Sequence, residues 1–242
     1  MARAASLSCR CPPAAASLPW RRLLYWKAGA HLKKYTLVIG DYTKSSWSMR
    51  AWIVMKAAGA PFDTVQVRLE RCDTHANILM YSPSGKVPAL ISKEGTISDS
   101  LAIAETIAEA FPRAGLWPGD ETLRAKARSA AAEMHSGFAN LRAQMPFGVV
   151  TGDRVERMLA DTQGEIDRVF AIWRDLRAAG GSGIFLCGGF GIVDAMFAPV
   201  ALRFRRFGIG IPADLNSYAA AVLRYPPVEE WIALAEKERQ AH

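Results

Sequence analysis

Apolar positions fall into two regimes along the chain. Up to about residue 111 short β-branched runs alternate with helical stripes, and beyond residue 120 only helical stripes remain. Tyr35-Thr-Leu-Val-Ile39 reads as a buried strand. Residues 46–58 place Trp47, Ala51, Val54, Met55 and Ala58 at helical spacing; Ser45 or Ser46 suits the start, Gly59 the end, and Pro61 blocks continuation. Residues 63–69 alternate Val65, Val67 and Leu69 with Thr64, Gln66 and Arg68, the pattern of a strand with one wet face. An irregular or briefly helical stretch (72–81) leads to 87–91, a turn at Lys93-Glu94-Gly95, and Thr96-Ile97, which together predict a hairpin. A helix over 100–111 closes at Phe111-Pro112. The order β-α-β-(α)-β-β-α predicts an open sheet covered by helices.

Leu116-Trp117-Pro118-Gly119-Asp120 reads as a linker. Residues 121–144 predict one long helix that stops before Pro146. Residues 151–178 predict another, with Val155, Leu159, Ile166, Val169, Phe170, Trp173 and Leu176 on its buried stripe. Gly180-Gly181-Ser182-Gly183 is a turn cluster, and helices near 193–207, 214–224 and 227–239 follow. The expected domains are a sheet-bearing one over 34–113 and an all-α one over 120–242.

Half of the 242 residues are hydrophobic and 22% are charged, enough apolar material for a core. The net charge of +7 suggests nucleic acid until its position is considered. Residues 1–40 hold Arg3, Arg10, Arg21, Arg22, Lys27, Lys33 and Lys34 and no acid; the remainder carries 23 basic and 23 acidic residues. A nucleic-acid footprint is spread over a folded face, so none is expected here. The tail, 1–33, reads as disordered or targeting-like: an organellar transit segment, or translated sequence upstream of a true start near Lys33. Arg21-Arg22 suggests twin-arginine export, but Lys27, Lys33 and Lys34 interrupt the apolar stretch such a signal needs. Cys9, Cys11, Cys72 and Cys187 form no CxxC pair. That argues against a disulfide framework, a structural zinc site and a dithiol centre, and for a reducing compartment; no metal is expected. The apolar stretch 184–202 contains Asp194, several glycines and Pro199, and no membrane span is expected.

The chemistry concentrates in 82–108. Pro88 cannot donate to a sheet ladder, so Val87-Pro88 belongs at a strand start or edge; a cis bond there would turn the Val87 backbone groups outward. Ser98-Asp99-Ser100 precedes a helical run, where hydroxyl and carboxylate groups cap the helix and its amides attract anions. One ligand can meet an open backbone edge at Val87 and a charged cradle at Asp99-Ser100.

These features, in this order and followed by an all-α half, resemble the glutathione S-transferase family over roughly 35–240. Ser45-Ser46-Trp47-Ser48-Met49-Arg50 is similar to the Ser-Ser-Cys-Ser-x-Arg signature of Zeta-class enzymes. Lys86-Val87-Pro88 resembles the family's pre-proline segment, Asp99-Ser100 its acid-serine pair, and Gly191-Ile-Val-Asp194 its capping motif. Ala-Glu-Met-His-Ser-Gly-Phe (132–138), after Leu116-Trp117-Pro118, is similar to a bacterial branch.

The resemblance implies an α/β thioredoxin-like N-terminal domain plus an all-α C-terminal helical domain, in a cytoplasmic homodimer, organellar if 1–33 is a transit peptide. Glutathione is then the co-substrate. Ser45, with Ser46 next, is the implied catalytic hydroxyl stabilising its thiolate, although by residue type alone both serines read equally as helix caps. Val87 would pair with the cysteinyl backbone as an added strand does, beside Pro88. Asp99 would take the γ-glutamyl amine and Ser100 its carboxylate; Lys86 either meets a ligand carboxylate or is simply solvated. Arg50 reads as structural rather than catalytic, with an ion pair as one way to hold it. Met134, His135 and Phe138 either face the cleft or pack in the core. The second substrate is expected to be a small hydrophobic electrophile.

Two positions depart from the pattern. Trp47 stands where the Zeta signature has cysteine, and Gly191 where the capping motif has Ser or Thr. Two alternatives stay open: a non-catalytic glutathione-binding protein of the same fold, and a glutathione-dependent reductase or isomerase.

Overall fold

The structure is a computed structural model that describes residues 35–241; the tail 1–33, with Cys9, Cys11 and Lys33, and also Lys34, lies outside the described residues. Four strands, β1 (Tyr35–Ile39), β2 (Phe62–Gln66), β3 (Ala89–Ser92) and β4 (Gly95–Ser98), form a mixed sheet in the order β2-β1-β3-β4. β1 and β2 are parallel, joined through helix α1 (Ser46–Ala57), while β3 runs antiparallel to both β1 and β4. Helix α2 (Thr74–Leu79) covers one face through Ile78, which packs with Val38, Val67 and Ala89. Helices α1 and α3 (Ser100–Ala110) pack together on the other face.

The alternation over 63–69 overshoots its strand. β2 ends at Gln66, and only the Val67 N–H still reaches β1, donating to the Ile39 carbonyl at 2.8 Å. The remaining helices are α4 (Glu121–Ser136), α5 (Ala139–Gln144), α6 (Ala160–Gly180), α7 (Ile192–Phe207), α8 (Asn216–Leu223) and α9 (Pro226–Gln240).

Two helix expectations are corrected. The single helix over 121–144 is broken at Gly137–Phe138, where Phe138 adopts φ 61°. The break leaves carbonyls without helical partners, and Arg142 takes them: its guanidinium donates to the carbonyls of Met134, His135 (3.4 Å) and Gly137 (3.1 Å). The helix expected over 151–178 begins only at Ala160. The residues before it bond elsewhere: the Gly152 N–H donates to the Arg206 carbonyl, and Asp153 accepts from Arg206 Nε at 2.6 Å. Leu159, placed on the buried stripe by spacing, is exposed, whereas Ile166, Val169, Phe170, Trp173 and Leu176 are buried.

Helix α1 is the axis of the fold. It touches the sheet and α3 on one side and α7 and α9 on the other, so every residue from Met49 to Met55 is buried. A helix so placed is apolar all round rather than along a stripe. The exception is Arg50, which has no exposed surface.

Candidate functional site

Strand register assembles the site. Val38 pairs with Ala89, and Ala89 pairs with Ser98. The end of β1 that leads to Ser45, the start of β3 preceded by Val87-Pro88, and the end of β4 followed by Asp99-Ser100 therefore lie at one end of the sheet. Each strand end is followed or preceded by an irregular backbone whose groups are not committed to the ladder, which is where open α/β sheets bind ligands.

At the first corner Ser45 is the N-cap of α1. Its Oγ accepts the Ser48 N–H at 3.2 Å and its hydroxyl proton goes to Ser48 Oγ at 2.7 Å, which also accepts the Gly40 N–H at 3.1 Å. Ser45 is thus wired inward. Ser46 is equally buried, at 5% exposed, yet its hydroxyl has no hydrogen-bond partner among the described residues. Nothing in the sequence separates the two serines; their orientations do.

Trp47 follows. Its ring lies 4.5 Å from the Arg50 guanidinium and 4.6 Å from that of Arg142, and meets the His135 ring edge-on at 5.1 Å. Arg50 donates through Nε to the Met196 carbonyl at 3.1 Å, while both its Nη atoms are buried without partners among the described residues. Arg50 has no ion pair among the described residues, and cation–π contact with Trp47 holds it instead. Burial holds the Arg50 pKa well below the ordinary arginine value, and the Arg142 and Arg203 charges lower it further against the opposing pull of Asp99. Arg203, buried near Arg142 and Arg206, falls to about 9 for the same reasons, burial first.

At the other two corners Val87-Pro88 is a cis peptide. Val87 is half-buried, Pro88 buried and Lys86 exposed. Asp99 caps α3, its Oδ1 accepting the N–H groups of Leu101 at 2.8 Å and Ala102 at 3.3 Å. Ser100 is 1% exposed, and its Oγ has no partner among the described residues. Asp99 Oδ2 lies 3.0 Å from His135 Nε2. His135 sits in the last turn of α4, so the helical half of the chain reaches this corner directly. Its neighbours Met134 and Phe138 are buried in the core and take no part in a cleft.

Helix α9 holds the loop before Ser45. Glu238 accepts from the N–H groups of Tyr42 (3.2 Å) and Thr43 (2.9 Å), from Thr43 Oγ1 (2.7 Å) and from Gln66, with Arg68 at 3.3 Å. Burial raises the Glu238 pKa, but these hydrogen bonds outweigh it and keep it below the ordinary value. Trp231 Nε1 donates to the Tyr42 carbonyl at 3.0 Å. Beside this loop a cleft of about 690 Å³ runs past Lys44, Arg71, Val149, Arg206 and Arg239. Sequence reading missed the Trp47–Arg142 contact, the His135–Asp99 contact and Glu238; each joins residues more than thirty positions apart, and no local pattern signals such pairs.

Comparison with known proteins follows the same lines. The family model described as "Glutathione S-transferase, N-terminal domain" matches residues 44–110. A protein of Aplysia californica named "Probable glutathione transferase" is 33% identical over 82 residues, covering 34% of this chain and 87% of that protein. The chain belongs to the glutathione transferase family. Another relative in the family, "Glutathione S-transferase zeta class" from Euphorbia esula, is 34% identical over 88 residues; the match covers 36% of this chain and only 39% of the plant protein's length. In fold, the chain is similar to a glutathione transferase homolog from Burkholderia GL BGR1 solved with bound glutathione, with a TM-score of 0.63 at 24% identity, covering 85% of this chain and 99% of that one. The glutathione transferase fold, with a thioredoxin-like N-terminal domain and a helical C-terminal part, is therefore as the motifs implied. No helix among the described residues is long and apolar enough to cross a membrane.

Proposed function

We propose that this chain binds glutathione at the shared end of its sheet and transfers the thiolate to an electrophile. The observation that carries the reading is a pair of helix starts, α1 and α3, each with a buried serine whose hydroxyl has no partner among the described residues, Ser46 and Ser100; the Ser100 Oγ is itself fully buried. A helix N-terminus with a free hydroxyl stabilises an anion. Glutathione offers two anions at suitable places, its thiolate and its γ-glutamyl carboxylate.

In this reading Val87 pairs with the cysteinyl backbone, Asp99 takes the γ-glutamyl amine, Ser100 takes the carboxylate, and exposed Lys86 is free to approach the glycyl carboxylate. The thiol proton leaves to solvent. The thiolate sulfur then bonds to the electrophilic carbon, and the leaving group departs with its electron pair. Of the serines, Ser46 is the readier donor because it gives up no existing bond. Ser45 must turn its proton away from Ser48 Oγ, a cost of about 1 kcal/mol, while still capping α1.

The cleft beside Lys44 modifies the expected electrophile. Its walls mix Val149 and Val150 with the cations Lys44, Arg68, Arg71, Arg206 and Arg239 and the carboxylates Asp41, Glu70 and Glu238. Arg71 and Arg239 are in no ion pair among the described residues, and this cationic excess suits an apolar electrophile that also bears a negative charge. The reductase alternative wants a cysteine at α1. Trp47 stands there, and the described cysteines Cys72 and Cys187 lie on other elements. A homodimer in a reducing compartment completes the proposal.

The test compares S45A and S46A. Loss of the donor raises the pKa of bound glutathione, read from thiolate absorbance, and slows conjugation roughly ten- to a hundred-fold. Ser46 is expected to show this effect and Ser45 mainly a stability loss. If neither substitution moves thiol ionisation or rate, the proposed thiolate site is wrong. Paired electrophiles with and without a carboxylate test the cleft; equal kcat/KM for both removes the charge argument.

A further inference from the structure

We propose that His135 is a positioning residue that sets Asp99 to receive the α-amine of glutathione, an inference that rests on the glutathione reading above. Asp99 has two oxygens and about four places to accept hydrogen bonds. Oδ1 is occupied by the N–H groups of Leu101 and Ala102, which tie the carboxylate to the start of α3. Oδ2 lies 3.0 Å from His135 Nε2, a close polar contact in which the carboxylate can only be the acceptor. One position on Oδ2 remains, on a side chain that is 47% exposed. That position is where an ammonium group can dock.

The caps hold the carboxylate through Oδ1 alone, on a residue whose φ of 87° lies where non-glycine residues seldom sit; the His135 contact is the one at Oδ2. His135 itself is well anchored. Its ring stands edge-on against Trp47 at 5.1 Å and 76°, its carbonyl accepts from Arg142, and it ends α4 just before the break at Gly137. The contact is a charge-oriented bridge from the helical half to the ligand end of the sheet. It makes glutathione affinity depend on a residue that does not touch glutathione, through an acid that does.

A surface ion pair would be nearly worthless to stability, so the test reads ligand selectivity rather than folding. Glutathione and an analogue lacking the α-amine are titrated calorimetrically into the full chain, as wild type, H135A, H135F, D99A and H135A/D99A. Loss of the orienting contact with the carboxylate is expected to weaken glutathione about ten-fold in H135A. The KM for glutathione should rise with kcat held within about two-fold. Affinity for the amine-free analogue should not change, and H135A should add nothing to D99A. H135F fills the same space against Trp47 without a donor and carries the same expectation if H135A fails to fold.

Unchanged glutathione affinity in both His135 variants overturns the proposal, as does equal weakening of both ligands, which would mark His135 as merely structural. A wild-type chain that binds no glutathione overturns the underlying reading and this inference with it. Binding by the wild type with an indifferent His135 overturns this inference alone.

Discussion

At Gly191 a Cβ would lie 2.7 Å from the carbonyl oxygen of Leu116, a backbone atom already accepting the Ile192 N–H at 2.9 Å. This accounts for glycine where the family motif has Ser or Thr: the linker crosses too closely for any side chain. The cap is supplied from the other side, because Asp194 reaches back to the Gly191 N–H at 2.9 Å and also accepts the Leu186 N–H at 3.0 Å. Restoring the motif with G191S should therefore destabilise the protein, by about 1–3 kcal/mol, where capping preference alone would have it stabilise. Urea unfolding of the variant decides between the two effects; a gain in stability would mean that the linker can move aside.

At the scale of elements, the break between α4 and α5 determines what the site contains. Gly137 and the left-handed Phe138 turn the chain, and Arg142 from α5 satisfies the carbonyls that α4 leaves open. The same guanidinium stacks near Trp47. Replacing it by an unbranched apolar side chain, R142M, keeps much of the bulk but abandons partly buried carbonyls of Met134, His135 and Gly137. The expected loss is about 2–4 kcal/mol. Tryptophan fluorescence should shift as well, since Trp47 loses one of its two cations. If denaturation and emission are both unaffected, Arg142 is not what stabilises the break.

Across the whole molecule, two carboxylates give stability opposite pH slopes. Burial raises Asp194 from 3.8 to about 7 in the fold. Between those values the unfolded chain has released the proton while the native chain retains it, so stability falls as pH rises from about 4 to about 7. Glu238, held below its ordinary 4.5 by Thr43, Gln66 and Tyr42 despite burial, acts the other way: its contribution is present above 4.5 and is lost as pH falls through its lower folded value. The fold should be most stable in mild acid. D194N should lower stability and flatten the decline toward pH 7. E238Q should flatten the loss below pH 4.5 and loosen the Tyr42–Thr43 loop. Chemical denaturation across pH 3 to 8 checks both slopes; a D194N profile as steep as wild type would show that Asp194 ionises normally in the fold.

The sequence by itself determined the element order, the strand-helix-strand start, the hairpin behind Val87-Pro88 and the helical second half. Those features rest on local periodicity and on the steric rules of Pro, Gly and capping residues, which act over a few positions. Ser45, Ser46, Val87, Asp99 and Ser100 were legible as candidates for the same local reason. Tertiary structure decided the rest. The helix over 121–144 was split because Arg142 could pay for the broken hydrogen bonds. The helix expected from 151 started late because Arg206 claimed Gly152 and Asp153. Above all, the strand register that brings Gly40, Val87 and Asp99 to one end, the inward turn of the Ser45 hydroxyl and the reach of His135 to Asp99 depend on contacts between distant segments. Such contacts form only when burial of the shared core makes them unavoidable, and residue spacing carries no record of them.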